Sequence, residues 1–289
     1  MKALDRDLLD YYCLHLGVPL LLGLLTFMAF DLTDLDRAFT NLFYDPVAGL
    51  FPVGQSHLFE KVTHKWARII PDWTGELAII GALLSFIWPA LERLRNPRLM
   101  HSMNRLRLAR PLHCLQRLRR DFFFVIVAFA LSTGVIHYLK SHTGIYCPVE
   151  TTLYGGNEPH KEWFNTFSFW YEAGAGRCWP GGHASSAFNL FVLYFIARRY
   201  RWHSADLLLA GAILLGLLYG TARVLQGWHY FSHTLWAGLF VWLSTLLTAL
   251  VFYGRSSLQQ PSRTAGEIRQ RAGQPLGCEA SISTACSKT

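Results

Sequence analysis

The chain has 289 residues, of which 52% are hydrophobic, 15% are aromatic and only 16% are charged. Soluble proteins carry about 25% charged residues, so the composition excludes an ordinary soluble domain and is typical of an integral membrane protein. The net charge of +8 raises nucleic-acid binding as an alternative. No basic surface interleaved with aromatic residues accompanies that charge, and we expect no nucleic-acid partner.

Six apolar segments are long enough to cross the hydrocarbon layer of a bilayer, roughly 30 Å thick, as helices. They cover residues 12–30, 74–92, 122–139, 183–198, 205–222 and 234–253. The first segment lacks a small-x-small cleavage site, and we interpret it as a retained helix rather than a signal peptide. The predicted fold is all-α, a six-transmembrane helix bundle that occupies residues 1–255.

Two further segments differ from these helices in composition. Apolar residues in segment 31–73, between the first two helices, are spaced as in short amphipathic helices that lie on the membrane surface. Plain packing of this segment onto the bundle is an equal alternative. Residues 256–289 are rich in Ser, Gln, Gly, Arg and Thr, which predicts a disordered tail.

The distribution of arginine predicts the orientation of the bundle. Nine arginines lie between residues 93 and 120, in the connection between the second and third apolar segments. Cytoplasmic loops carry the excess of Lys and Arg, so this connection should be cytoplasmic. With six alternating helices, both termini are then cytoplasmic, and residues 31–73, 140–182 and 223–233 face outward.

Cationic and histidine side chains collect at the predicted outer ends of the last four helices. These residues are Lys140 at the end of the third helix, Gly181, Gly182 and His183 at the start of the fourth, Arg223 at the end of the fifth, and His229 and His233 leading into the sixth. Glycines leave backbone N–H groups uncovered at a helix N-terminus, which favours anions. Lysine and arginine add full positive charges, so the pattern predicts a phosphate site.

These residues resemble the signature motifs of the type 2 phosphatidic acid phosphatase superfamily, which includes the vanadium haloperoxidases. The family's motifs are K-x6-R-P, P-S-G-H and S-R-x5-H-x3-D. The matching stretches are Lys140-x6-Cys147-Pro148, Pro180-Gly181-Gly182-His183 and Arg223-x5-His229-x3-His233. Their order and internal spacing agree with the family. The resemblance, with its six-helix arrangement, covers about residues 10–253.

The resemblance implies a two-step hydrolysis of a phosphate ester that needs no metal and no cofactor. His229 would attack phosphorus and form a phosphohistidine, His183 would protonate the departing oxygen, and His233 would orient the nucleophile. The phosphate-binding groups would be the side chains of Lys140 and Arg223 and the amides near Gly181 and Gly182.

Four positions depart from the family pattern: Cys147 replaces arginine, Gly181 and Ala222 replace serines, and His233 replaces the aspartate. A neutral imidazole at His233 brings no negative charge to stabilise an imidazolium at His229. Arg177 is a candidate to restore the missing arginine charge. Cys147 and Cys178 are the two cysteines predicted to face outward, and either a disulfide between them or two unpaired thiols fits the sequence.

The family suggests an amphiphilic substrate, namely a phospholipid, a polyprenyl pyrophosphate or a lipid A type molecule. It also suggests a bacterial inner membrane with the site facing the periplasm. A lipid phosphotransferase and a catalytically weak binding relative of the same fold remain open as alternatives. A different class of protein is a metal or haem membrane module built from His137, His142 and His160 with His183, His229 and His233.

Overall fold

The computed structural model describes residues 8–66, 68–94 and 96–259, and within them the regular elements are helices, with no β-strand. The prediction of an all-α fold is confirmed for these residues. The helices are α1 (Leu8–Asp31), α2 (Leu35–Asn41), α3 (His57–Glu60, continued by a wider turn over Lys61–Trp66), α4 (Ile69–Leu94), α5 (Pro97–Arg105), α6 (Ala109–Thr143), α7 (Trp163–Thr166), α8 (Gly182–Phe188), α9 (Phe191–Arg199), α10 (Ala205–Leu225), α11 (Phe231–Tyr253) and α12 (Arg255–Gln259).

Five helical segments of the described chain are long and apolar enough to cross a membrane, which fits a multi-pass membrane protein. They are α1, α4, α6 with its extension to Glu150, α10 and α11. The predicted fourth segment, 183–198, is instead divided into α8 and α9 at Asn189 and Leu190. At this point the backbone passes through tighter turns, in which Leu190 N–H donates to Ala187 and Val192 N–H donates to Asn189. Asn189 is buried, and its Oδ1 accepts a hydrogen bond from Ser132 Oγ at 2.5 Å.

Helix α11 lies at the centre of the bundle and contacts α6, α8 and α10. Small residues permit these close approaches, as is usual between membrane helices. The ring of Phe188 on α8 occupies the space that a Cβ atom would need at Gly216 on α10. Gly220 on α10 similarly gives room to Thr234 on α11, because a Cβ atom there would lie 2.1 Å from Thr234 Oγ1.

A buried polar cluster joins one end of the bundle. Asp121 near the start of the apolar part of α6 pairs with Arg199 at the end of α9. Its carboxylate also accepts hydrogen bonds from Tyr200 Oη at 2.6 Å and Tyr253 Oη at 2.7 Å. This cluster lies beside the arginine-rich stretch, so the other ends of α6, α10 and α11 meet on the opposite side of the bundle.

The segment between α1 and α4 contains the short helices α2 and α3 and a single helical turn over Pro52–Gln55. Phe51 anchors it, since its side chain is only 2% exposed and packs against Tyr44 and Tyr154. At the other end of the chain, the predicted tail lies outside the described residues from 260 onward. Residues Arg255–Gln259 form α12, whose Leu258 is buried.

Candidate functional site

Lys140 lies in the last turn of α6 and contacts the start of α8. A Cβ atom added to Gly182 would come within 3.1 Å of Lys140 Cε and 3.6 Å of its Nζ. The ammonium group donates a hydrogen bond to the carbonyl oxygen of Arg177 at 2.6 Å. Glycine at position 182 therefore lets the lysine side chain lie directly over the beginning of α8.

The backbone of Gly181 connects α8 to α11. Its N–H donates to the carbonyl oxygen of His233 at 2.8 Å, and a Cβ atom at this position would lie 3.1 Å from the same oxygen. The expectation that the Gly181 N–H is uncovered is therefore wrong. Glycine at position 181 allows the two helix ends to approach closely. The N–H of Gly181 is already used in the bond to His233 and is not free to bind a phosphate.

A disulfide joins Cys147 to Cys178, with an S–S distance of 2.01 Å and a Cα–Cα distance of 5.1 Å. Of the two possibilities left open by the sequence, the structure has the paired one. The same region is tied to the loop after α10, because Val149 N–H donates to the carbonyl oxygen of Gly227 at 2.9 Å. The loops that carry the first, second and third motifs thus form one connected layer.

His229 lies in the loop just before α11, which begins at Phe231. The two histidines of the third motif therefore do not share a helix face, although they are four residues apart. Their Nδ1 atoms are nevertheless 3.5 Å from each other, and His229 Nδ1 is 3.3 Å from Cys178 Sγ. His229 is 9% exposed, and its Nδ1 side is enclosed, which leaves Nε2 as the atom that can face a ligand.

The surroundings of His229 keep its imidazole neutral. Burial is the largest cause, and the positive charges of Lys140, Arg223 and a protonated His183 act in the same direction; together they lower the pKa of His229 well below its ordinary value of 6.5. A neutral imidazole retains a lone pair on one nitrogen. The site therefore has both a nucleophilic nitrogen and nearby cations at neutral pH.

Arg223 and His183 are in contact with the segment between α1 and α4. Arg223 Nη1 lies 3.2 Å from Glu60 Oε2, and the same carboxylate oxygen accepts a hydrogen bond from Gln226 Nε2 at 2.6 Å. His183 Nε2 lies 3.1 Å from the backbone oxygen of Thr63. Glu60 and Thr63 were not singled out from the sequence, because nothing in segment 31–73 indicates which residue faces the motifs. Gln226 was missed because it occupies one of the unspecified positions between Arg223 and His229.

Arg177 does not point into this cluster. Its guanidinium donates to Glu172 Oε2 at 3.0 Å and to the carbonyl oxygens of Gly174 and Gly176 at 2.5 and 2.9 Å. Only its backbone oxygen reaches the site, through Lys140. The proposed restoration of the missing arginine charge by Arg177 would therefore require the side chain to leave these partners.

The carboxylates nearest in sequence to the motifs have other partners. Glu150 accepts from the Cys147 N–H, and Glu162 pairs with His160. Near the start of α11, Asp36 accepts a hydrogen bond from the Ser232 N–H at 3.0 Å. Burial raises the pKa of Asp36 to about 6, so the carboxyl group is still mainly ionised at neutral pH. Its hydrogen bonds come from Ser232 and the Phe231 backbone, so it does not take the position of the family's aspartate beside His229.

Three groups with metal-ligand atoms lie together within the described part of the chain, namely Cys178, His229 and His233, whose ligand atoms are all within 4.8 Å of one another. The sulfur of Cys178 is engaged in the disulfide, whereas metal binding requires a thiolate. His142 and His160 lie elsewhere, with hydrogen bonds to Tyr138 and Glu162. While the disulfide is intact, Cys178, His229 and His233 therefore do not form a ready metal site.

Comparison with protein families matches residues 121–257 to the PAP2 superfamily. This range contains Lys140, the disulfide, Gly182, His183, Arg223 and both histidines of the third motif, and it is narrower than the 10–253 expected from the motifs. No curated protein and no solved structure matches the chain significantly.

Proposed function

We propose that the protein is an integral membrane lipid phosphatase. Residues 121–257 match the PAP2 superfamily, whose members are phosphatases. The protein's substrate would be a phosphate or pyrophosphate monoester of an amphiphilic molecule. Hydrolysis would proceed through a phosphohistidine on His229 without a metal.

The observation that carries this proposal is the convergence of four separate helix ends on His229. Lys140 comes from the end of α6, His183 from the start of α8, Arg223 from the end of α10, and His229 from the loop before α11. All of them are near enough for their charges to affect the protonation of His229. A phosphate ester carries the negative charge that such a set would bind.

In the first step, the Nε2 lone pair of His229 attacks phosphorus as the bond from phosphorus to the ester oxygen breaks. His183 donates its proton to that oxygen, so the alcohol or phosphate leaves in protonated form. In the second step, a water molecule gives a proton to His183 and attacks phosphorus, the P–N bond breaks, and inorganic phosphate leaves. Lys140 and Arg223 stabilise the charge on the phosphoryl oxygens in both steps.

His233 acts in this scheme as a positioning residue. For Nε2 of His229 to hold a lone pair, its Nδ1 must carry the hydrogen. His233 Nδ1 at 3.5 Å is a nitrogen acceptor for that hydrogen, beside the weakly accepting disulfide sulfur of Cys178 at 3.3 Å. A long hydrogen bond to a neutral imidazole stabilises a developing imidazolium less than a carboxylate does. Loss of the carboxylate in a serine protease triad lowers turnover by about 10⁴, so we expect this protein to turn over more slowly than a relative that keeps the aspartate.

The arginine-rich start of α6 and the Asp121 cluster lie at the end of the bundle opposite the site. The positive-inside rule then favours a site at the non-cytoplasmic face, with α8 and α9 together supplying the sixth crossing. In a bacterium that face is the periplasmic side of the inner membrane. A site at this depth suits phospholipid, polyprenyl pyrophosphate and lipid A type substrates, whose phosphates lie at the bilayer interface.

The test is release of inorganic phosphate from a panel of these lipids by the detergent-solubilised full chain. We expect release by the unaltered protein, inhibition by vanadate, and loss of at least about 10³-fold in His229→Ala, because removal of a covalent nucleophile leaves only binding and charge stabilisation. A His142→Ala variant is the matched control, since His142 lies at the same end of α6 but bonds to Tyr138.

Two results would contradict the proposal. Equal phosphate release by His229→Ala and the unaltered protein would show that His229 is not the nucleophile. An active enzyme that contains stoichiometric metal and loses activity on chelation would show that the reaction uses a different chemistry.

A further inference from the structure

The segment formed by α3 and its continuation, His57–Trp66, lies across the proposed phosphate site. Through Glu60 it contacts Arg223 at the end of α10, and through the Thr63 carbonyl it contacts His183 on α8. An anionic oxygen thus lies on the arginine expected to bind phosphate. A neutral acceptor oxygen lies on the histidine expected to protonate a leaving group.

Two donors converge on a single oxygen of Glu60. Arg223 Nη1 is 3.2 Å away and Gln226 Nε2 is 2.6 Å away. Gln226 is 2% exposed, and its Oε1 accepts a hydrogen bond from Arg223 Nη1 at 2.9 Å. That bond fixes the amide so that its N–H donors point away from the arginine and toward the anion.

This pair of residues has more donor capacity than Glu60 uses. Arg223 Nε is buried and has no hydrogen-bond partner among the residues that the structure describes. A guanidinium can bind two oxygens of one anion at once, and a phosphate supplies the additional oxygens that a single carboxylate oxygen does not. The arrangement is therefore better matched to a phosphate than to its present occupant.

Two apolar side chains of the segment are exposed, beside the exposed polar residues His57 and Lys61. Leu58 is 71% exposed and Val62 is also exposed, and their spacing of four residues places them on one face of a helical turn. Glu60 lies between these two residues in sequence and Thr63 follows them. Both contact the bundle, Glu60 through Arg223 and Thr63 through His183. A short segment with exposed apolar side chains beside polar ones is suited to lie at a membrane interface.

We propose that Gln226 is a further phosphate-binding residue, and that Glu60 and Thr63 take the positions of a substrate phosphoryl oxygen and of the leaving oxygen while the site is closed. This inference rests on the proposed function. Substrate entry then requires the His57–Trp66 segment to leave Arg223 and His183. The phosphate of an amphiphilic substrate competes directly with the Glu60 carboxylate for the same donors.

The direction in which vanadate affinity changes in one variant distinguishes competition by Glu60 from a supporting role for Glu60. In Glu60→Gln the competing negative charge is removed while the shape of the side chain is kept. We expect orthovanadate to inhibit or bind this variant about tenfold more tightly than the unaltered protein, since a charge-assisted hydrogen bond no longer has to be broken. A residue that merely holds Arg223 in place would give weaker binding instead.

The measurement is the vanadate dissociation constant of the detergent-solubilised full chain, by calorimetry or by inhibition of phosphate release. Glu76→Gln, an exposed acid on α4, is the matched control and should leave the constant unchanged. Gln226→Met keeps a linear side chain without donors, and it should weaken vanadate binding about tenfold when introduced into the Glu60→Gln protein. Gln226→Glu is a second variant, whose negative charge should weaken binding further.

Equal or weaker vanadate binding by Glu60→Gln would overturn the competition, and unchanged binding by folded Gln226→Met and Gln226→Glu proteins would overturn the role of Gln226. Absence of vanadate binding in every protein, together with unchanged phosphate release by His229→Ala, would instead refute the proposed function on which the inference rests.

Discussion

The contact between Gly220 on α10 and Thr234 on α11 should control both the stability of the bundle and the geometry of the site. In Gly220→Ala, the added Cβ atom would lie 2.1 Å from Thr234 Oγ1 and 2.2 Å from its Cγ2. An ordinary contact is at least 3.4 Å, so the two helices must separate or rotate by more than 1 Å. Thr234 is 1% exposed and cannot simply turn into solvent.

Overpacking of a well-packed interior costs about 1 to 3 kcal/mol, which corresponds to a decrease of several degrees in melting temperature for a chain of this size. Arg223 follows Gly220 by one helical turn, and the displaced partner helix begins two residues after His229. A misplacement of about 1 Å can cost 10²-fold in rate. We therefore expect kcat/KM for lipid phosphate release to fall by about 10- to 100-fold, more than the stability loss alone would cause.

Thermal unfolding and phosphate release should be measured on the same detergent-solubilised samples. Gly211→Ala is the matched control, since it lies on the same helix and no described atom is within 4 Å of the added Cβ position. Thr234→Ala should partly restore the Gly220→Ala protein, because it removes Oγ1 and Cγ2. Unaltered stability and activity in Gly220→Ala would refute the close approach of the two helices.

Two further predictions concern pH. Burial and neighbouring cations lower the pKa of His229, so the reactive neutral form persists as pH falls. The acidic limb of the pH profile of kcat/KM should therefore have its midpoint below pH 6.5. A midpoint at 6.5 or above would contradict the lowered pKa of His229. Burial raises the pKa of Asp36 from 3.8 to about 6, so the folded protein binds the proton more tightly and loses stability as pH rises from about 4 to 6. Asp36→Asn should match the unaltered protein near pH 4 and exceed it by up to about 3 kcal/mol above pH 6, as measured by thermal unfolding across this range; a stability difference that does not change with pH would exclude the shift.

The sequence was sufficient to propose the site residues, because the three motifs have fixed internal spacing. Apolar segment lengths were similarly sufficient for the five long helices, since the thickness of a bilayer sets the length of a spanning helix. The break between α8 and α9 was missed because segment 183–198 is apolar across the break, where the backbone changes to i→i−3 hydrogen bonds.

The roles of particular polar groups could not be predicted in the same way. Gly181 was expected to offer a free N–H, but the approach of α11 provides His233 as its acceptor. Arg177 was expected to supply a missing charge, and Glu172 holds it elsewhere. In both cases the partner lies outside the motif, so the motif alone carries no information about it.

Sequence by itself determined that this is an all-helical membrane chain with lysine, arginine and histidine placed at the ends of its apolar helices. These properties follow from composition and spacing, which act locally. Only the tertiary structure decided that Glu60 and Gln226 meet at Arg223 and that Thr63 meets His183, because those contacts depend on how a segment more than 100 residues away in the chain folds back over the bundle.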